Sequence, residues 1–217
     1  MKQVLLIGLG RYGQNIAVRL NEMGHQVMAV DKDEKRVNAI LDIVTNAQIG
    51  DSTDREFLES LGVRNFDYVI IAIAGDFESS MITTVMVKEL GAPNVISRAS
   101  SEIQEQLLKN NGADVVIYPE KTVGIWTANR YVSEHVLDYF DLADGYSIYE
   151  ISMPNSWVGK TLASMDIRSK YGINILAVRS GEHLNVTMDP NEKFVKSQSL
   201  LVLGKSENVH RCFKVRG

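Results

Sequence analysis

Several things are scarce in these 217 residues, and each scarcity removes a class of function. There is one cysteine, Cys212, so neither an internal disulfide nor a thiolate cage for zinc or an iron–sulfur cluster can be built, and a reducing cytoplasm is expected. Positive charge is not in excess: 23 Lys and Arg stand against 27 Asp and Glu. A basic surface that releases counterions from a phosphate backbone is therefore not expected, and nucleic acid is not an expected partner. Long apolar runs are also missing. The most apolar internal stretch, residues 69–74, falls far short of the roughly 18 residues a membrane-spanning helix needs. The chain opens on Met1-Lys2-Gln3 and goes directly into the apolar run 4–7, without the pattern of a secretory leader. Membrane association is expected only through a partner. His25, His135, His183 and His210 are scattered outside metal-ligand spacing, and no nucleophile elbow or Walker loop occurs. Cys212 has only Arg211 as a charged neighbour, which predicts an inert thiol.

What is present folds throughout, since 45% hydrophobic and 23% charged residues lie in the ordinary globular range. Short β-branched runs at 4–7, 27–30, 45–49, 68–73, 95–97 and 115–118 alternate with helical patterns at 14–23, 34–41, 55–61, 79–90 and 102–110. That alternation predicts an α/β domain over residues 1–120, a Rossmann-like doubly wound parallel sheet. Gly24, Gly62, Gly91 and Gly112 follow helices where left-handed caps belong, and Thr53 and Ser101 stand at two helix starts. Residues 121–144 predict a helical connector, with a helix over 121–140 on which Ile125, Val132, Val136 and Phe140 share a face. Residues 145–217 predict a second, smaller α+β domain, with strands at 147–152, 173–179 and 200–203 and a helix at 162–167.

The first strand runs into Gly8-Leu9-Gly10-Arg11-Tyr12-Gly13 and then a helix, the setting in which a glycine fingerprint binds a diphosphate. Gly8 permits the tight turn, Gly10 the approach of a diphosphate, and Gly13 close packing of helix on strand; the helix start supplies N–H donors. Asp31 ends the second strand about 20 residues later, placed to accept from ribose hydroxyls and to repel a 2′-phosphate. Read separately, the glycines are also a ligand-free turn and Asp31 a solvated strand end. Asp51 and Ser52, in Gly50-Asp51-Ser52-Thr53, follow the third strand at the same sheet edge, where they meet a ribose or adenine or simply cap a helix. Arg11 reaches a terminal phosphate or a neighbour's phosphate, or is a solvated loop charge. A dehydrogenase would need a proton donor or acceptor facing the nicotinamide, and no constellation offers one; the chain is not expected to be an enzyme.

These motifs, with Gly159-Lys160-Thr161-Leu162 and Tyr171-Gly172-Ile173-Asn174-Ile175 in the terminal module, resemble the potassium-transport regulators of the Trk/Ktr type over essentially the whole chain. The resemblance implies RCK N- and C-terminal domains on 1–120 and 145–217. It further implies homodimers assembling into an octameric ring at the cytoplasmic face of a separate integral-membrane potassium-translocating subunit. ATP and ADP would favour different ring shapes, Arg11 would meet the terminal phosphate across the dimer interface, and Glu120 would bind a divalent cation, Mg or Ca. Read alone, Glu120 is a helix-start acid stabilised by the dipole. Tyr12, Lys32, Ile73, Ala74 and Arg98 complete the expected nucleotide contacts. In some members the C-terminal module binds cyclic di-AMP, and Ile167, Arg168, Asn174 and Ile175 match that site. Their alternative is an ordinary helix–strand packing unit. In other members NADH competes with ATP, so NAD/NADH stays open as the ligand. Two further readings also stay open: a small nicotinamide-dependent oxidoreductase and a nucleotide-dependent interaction protein that meets no channel.

Overall fold

The computed structural model describes residues 1–132 and 135–213, which form two compact units, Met1–Lys121 and Thr122–Gly217. In the first, strands β1 (Gln3–Ile7), β2 (Gln26–Asp31), β3 (Asn46–Ile49), β4 (Tyr68–Ile71), β5 (Val95–Arg98) and β6 (Val115–Ile117) make one parallel sheet in the order β3-β2-β1-β4-β5-β6. Helices α1 (Arg11–Glu22), α2 (Glu34–Asn38), α3 (Arg55–Ser60), α4 (Phe77–Glu89) and α5 (Glu102–Asn110) connect the strands. The central strand is apolar on consecutive residues because both faces are covered. Leu5 and Ile7 pack with Leu58 of α3 and Val87 of α4, while Leu6, one residue out of phase, packs with Ala17 of α1 and Val37 of α2. Strand order reverses between β1 and β4, so the loops leaving their carboxyl ends diverge and open a crevice.

Helix α6 (Pro119–Val132) runs across the division between the units. The second unit carries an antiparallel sheet in the order β10-β9-β11-β8-β7, built from β7 (Val136–Asp141), β8 (Tyr146–Ser152), β9 (Asn174–Ser180), β10 (His183–Asn185) and β11 (Gln198–Lys205). Helices α7 (Leu162–Met165), α8 (Ile167–Tyr171) and α9 (Ser206–Phe213) complete it. Ile151, Met153, Leu200, Val202 and Val209 fill the core, and Trp157 packs against Phe194 and Phe213. Among the described residues no helix is long and apolar enough to cross a membrane.

The expected helix over 121–140 is corrected: it ends at Val132, residues 133 and 134 lie outside the described residues, and 136–141 is the edge strand β7. Val136 and Phe140 fit a helical face, but Tyr139 beside Tyr149 of β8 and backbone pairing to that strand decide the outcome. The expected helix at 162–167 is broken at Asp166, whose φ of 45° is left-handed. Thr53 is not a cap. Asp54 caps α3, accepting from the N–H groups of Glu56 and Phe57, whereas Ser101 does cap α5 by accepting from the Gln104 N–H.

Candidate functional site

The loop after β1 is shaped by two glycines with different duties. Gly8 has φ +96°, and an added Cβ would meet the backbone of Ala72 and Ile73 on the neighbouring strand's exit. A Cβ on Gly13 would fall inside the carbonyl oxygen of Gly8, so only glycine lets α1 start this close to the turn. Gly10 is the N-cap of α1, and no side chain bonds to the first N–H groups of that helix. Its first turn carries no acidic residue either. Unpaired donors and the positive end of the dipole therefore face outward from a backbone that nothing obstructs.

Above this loop lies a cavity of about 580 Å³ lined by Gly8, Gly10, Arg11, Asp31, Lys32, Asp51, Ser52, Ile73 and Ala74 among others. Nine of the residues expected at a nucleotide thus share one space. Gln14, Arg36, Asp76 and Ser79 line it too and were not singled out from sequence. The signal for Asp76 was present, since an aspartate three residues before Ser79 is a helix-start pattern; Asp76 accepts from both the Ser79 N–H and hydroxyl. Arg36 follows Asp31 by five residues and lies 3.5 Å from its carboxylate.

Asp31 is buried, and its carboxylate is already engaged. Oδ2 accepts from the Leu9 N–H at 2.6 Å and Oδ1 from the Asp33 N–H at 2.9 Å. The side chain expected to read a sugar thus also ties β2 to the glycine loop, and a carboxylate retains lone pairs for a further donor. Asp51 accepts from the Thr53 N–H and hydroxyl, and these bonds hold its carboxyl below the usual carboxylate range. Ser52 is buried, with its hydroxyl 2.8 Å from that of Thr83 on α4. Lys32 and Asp76 approach to 3.8 Å across the rim.

Tyr12, Arg98 and Glu120 form a separate group. The Arg98 guanidinium pairs with the Glu120 carboxylate and lies 5.4 Å over the Tyr12 ring centroid. Burial raises the Tyr12 hydroxyl's pKa, against the opposing influence of Arg98. Neither Tyr12 nor Glu120 lines the large cavity, and Arg98 lines a smaller one beside it. Among the described residues no group of three or more His, Cys, Asp or Glu could hold a metal ion, and Glu120's charge is met by Arg98. A single chain therefore does not fit a divalent cation there.

In the second unit Ile167 is buried in the core, Ile175 packs against that core, and Arg168 and Asn174 are exposed. A cavity of about 200 Å³ in this unit is lined by other residues, including Leu162, Val178, Met188 and Phe194. The histidines are dispersed: His25 accepts from the Lys2 N–H, and His210 lies edge-on to Tyr149. Burial pushes the Cys212 thiol up to about 11, which leaves little thiolate at neutral pH.

Residues 4–119 match the model of the TrkA-N domain and residues 147–215 that of the TrkA-C domain. The chain is 40% identical to the "Ktr system potassium uptake protein C" of Bacillus subtilis (strain 168), over 98% of its length and 96% of that protein's. A structure described as "GsuK Channel" superposes on 96% of the chain with a TM-score of 0.70 at 18% identity, although the chain spans only 38% of that protein. The NAD(P)-binding domain of an exopolyphosphatase-related protein from Archaeoglobus fulgidus matches 58% of the chain and 93% of its own, with a TM-score of 0.53 and 25% identity.

Proposed function

The chain belongs to the Trk/Ktr family of RCK-type potassium-uptake regulators, a regulatory protein and not an enzyme; from that premise we propose that it senses adenine nucleotides and gates a potassium translocator. The carrying observation is the cavity in Met1–Lys121, where an uncapped helix start, an unobstructed Gly10 and the carboxylates of Asp31 and Asp51 converge. Those groups complement a diphosphate and a sugar: N–H donors and a helix dipole for anionic oxygens, carboxylates for hydroxyls. Arg11, exposed on the lip, is the group that discriminates ATP from ADP by meeting a third phosphate. The regulator acts at the inner face of the membrane on an integral potassium-translocating subunit, as a homodimer assembling to an octameric ring. Nucleotides move the equilibrium between ring shapes only through unequal affinity for them. A cation at Glu120 requires residues from a second copy. Cyclic di-AMP at Arg168 and Asn174 requires the exposed pair to work without Ile167, which the core holds.

NAD(H) is the second reading, favoured by the 25% identity to an NAD(P)-binding domain over 58% of the chain. Thermal unfolding of the full chain with ATP, ADP, NADH and cyclic di-AMP, each with and without Mg or Ca, ranks the ligands. A nucleotide at a hundred times its Kd adds about 2.7 kcal/mol. The expected result is stabilisation by ATP and ADP to different extents, with Arg11→Ala erasing the difference. No shift with any nucleotide overturns the proposal.

A further inference from the structure

The cavity above the glycine loop suits anions, yet one carboxylate on its wall is not accounted for by a sugar. Asp31 and Asp51 are placed for hydroxyls, whereas Asp76 is the N-cap of α4, accepting from the Ser79 N–H at 3.0 Å and from the Ser79 hydroxyl at 2.7 Å. Capping does not need its charge, because Asn or Ser caps a helix about as well as Asp does. The two bonds from Ser79 hold its carboxyl below the usual carboxylate range, so it is ionised at neutral pH. A full negative charge therefore stands beside the expected seat of a diphosphate. Its counter-ion is Lys32, whose Nζ lies 3.8 Å from Oδ2. The Lys32 and Asp76 side chains are 67% and 45% exposed and both line the cavity, so an entering ligand reaches them.

The sheet order gives this pair its position. Lys32 follows β2 and Asp76 follows β4, and β1 lies between those strands, which are two strand spacings or about 10 Å apart. The ion pair thus spans the exit of β1, where the glycine loop begins. The other cations on the cavity wall do not cross it: Arg36 lies against Asp31 and Asp33 on the β2 side, and Arg11 meets no carboxylate among the described residues. We propose that Asp76 is a specificity-determining residue that grades ligands by their negative charge, with Lys32 as its counter-ion across the glycine loop until a ligand enters. The proposal rests on the nucleotide reading above. A phosphate arriving on the loop draws Lys32 to itself and leaves the Asp76 carboxylate facing it, and like charges at close range repel. The opposition grows with each further negative charge. It acts most on a triphosphate, less on a diphosphate, and least on a dinucleotide whose diphosphate is esterified at both ends.

Titration calorimetry of the full chain with ATP, ADP and NADH, on the natural protein and on Asp76→Asn, tests this, since Asn keeps the cap and removes the charge. The variant is expected to bind ATP about twofold to fivefold more tightly, the scale of one exposed ion pair, with a smaller gain for ADP and the smallest for NADH. Raising the salt concentration should shrink these gains, because exposed charges are screened. Asp76→Ser, a second uncharged cap, is expected to show the same order, which separates loss of charge from any disturbance of α4. Equal gains for all three ligands, no gain, or a loss in both variants overturns the proposal. If the natural protein binds none of the three, the nucleotide reading itself fails and the grading by charge falls with it.

Discussion

The two units reach stability by opposite treatments of backbone and space. In Thr122–Gly217 the antiparallel sheet covers one face with a continuous apolar core, and Trp157, Phe194 and Phe213 close it with ring contacts. In Met1–Lys121 both sheet faces are filled, yet the carboxyl edge is left open, with free helix-start donors and engaged carboxylates around about 580 Å³ of space. A parallel sheet imposes this: every strand exits at the same edge, so loops and helix starts collect there instead of hydrocarbon. The difference predicts that stability and ligand response separate. Leu200→Ala, at a fully buried core position of the second unit, is expected to cost that unit about 2–5 kcal/mol. Nucleotide affinity should be unchanged. Urea unfolding followed by Trp fluorescence, which reports on Trp126 and Trp157 of that unit alone, checks the first part, and calorimetry checks the second. A fall in nucleotide affinity with Leu200→Ala would break the separation.

The same contrast explains what could be read before the structure. The parallel sheet is legible because its evidence is local: the apolar run 4–7, glycines at the turn and a helical period after them. Strand β7 was hidden because the paired apolar residues of Val-Leu-Asp-Tyr-Phe-Asp fit a helical spacing and break the alternation of a strand, and pairing with β8 overrode that pattern. Asp31 was found by its place at a strand end, but its bond to the Leu9 N–H joins positions 22 apart and leaves no trace in composition. Which buried hydroxyls find partners is illegible for a related reason, because a serine on a helix looks the same whether satisfied or not.

Gly13 sharpens the comparison from the other side. Gly13→Ala puts a methyl group into the Gly8 carbonyl, which backbone cannot yield without moving α1 off the loop. The expected cost to the first unit is about 1–3 kcal/mol. Because the displaced elements are the anion-binding ones, nucleotide affinity should fall more than tenfold even where the unit stays folded. The Trp-reported transition of the second unit should not move. Native folding with intact affinity would show that the close helix–turn approach is not what holds the phosphates.

The smallest expected effect concerns acid. The carboxylates held below their ordinary range, Asp51, Asp67, Asp76, Glu105 and Asp114, all lie in Met1–Lys121, and hydrogen bonds are the largest cause for each. A carboxylate whose folded pKa lies below its unfolded value, about 3.9 for Asp and about 4.3 for Glu, contributes stability at every pH above that value. The contribution is lost as pH falls through the folded pKa. The first unit should therefore weaken on acidification below about pH 4. Thr53→Ala tests one member of this set, since it deletes the hydroxyl bond to Asp51 and keeps the backbone one. Asp51 is exposed, so solvent screening limits the loss to about 0.5 kcal/mol at pH 7. The difference from the natural protein should shrink towards zero as Asp51 protonates in both. A loss that persists at acid pH would mean that Thr53 acts through packing and that the rim charge contributes nothing to holding the open edge together.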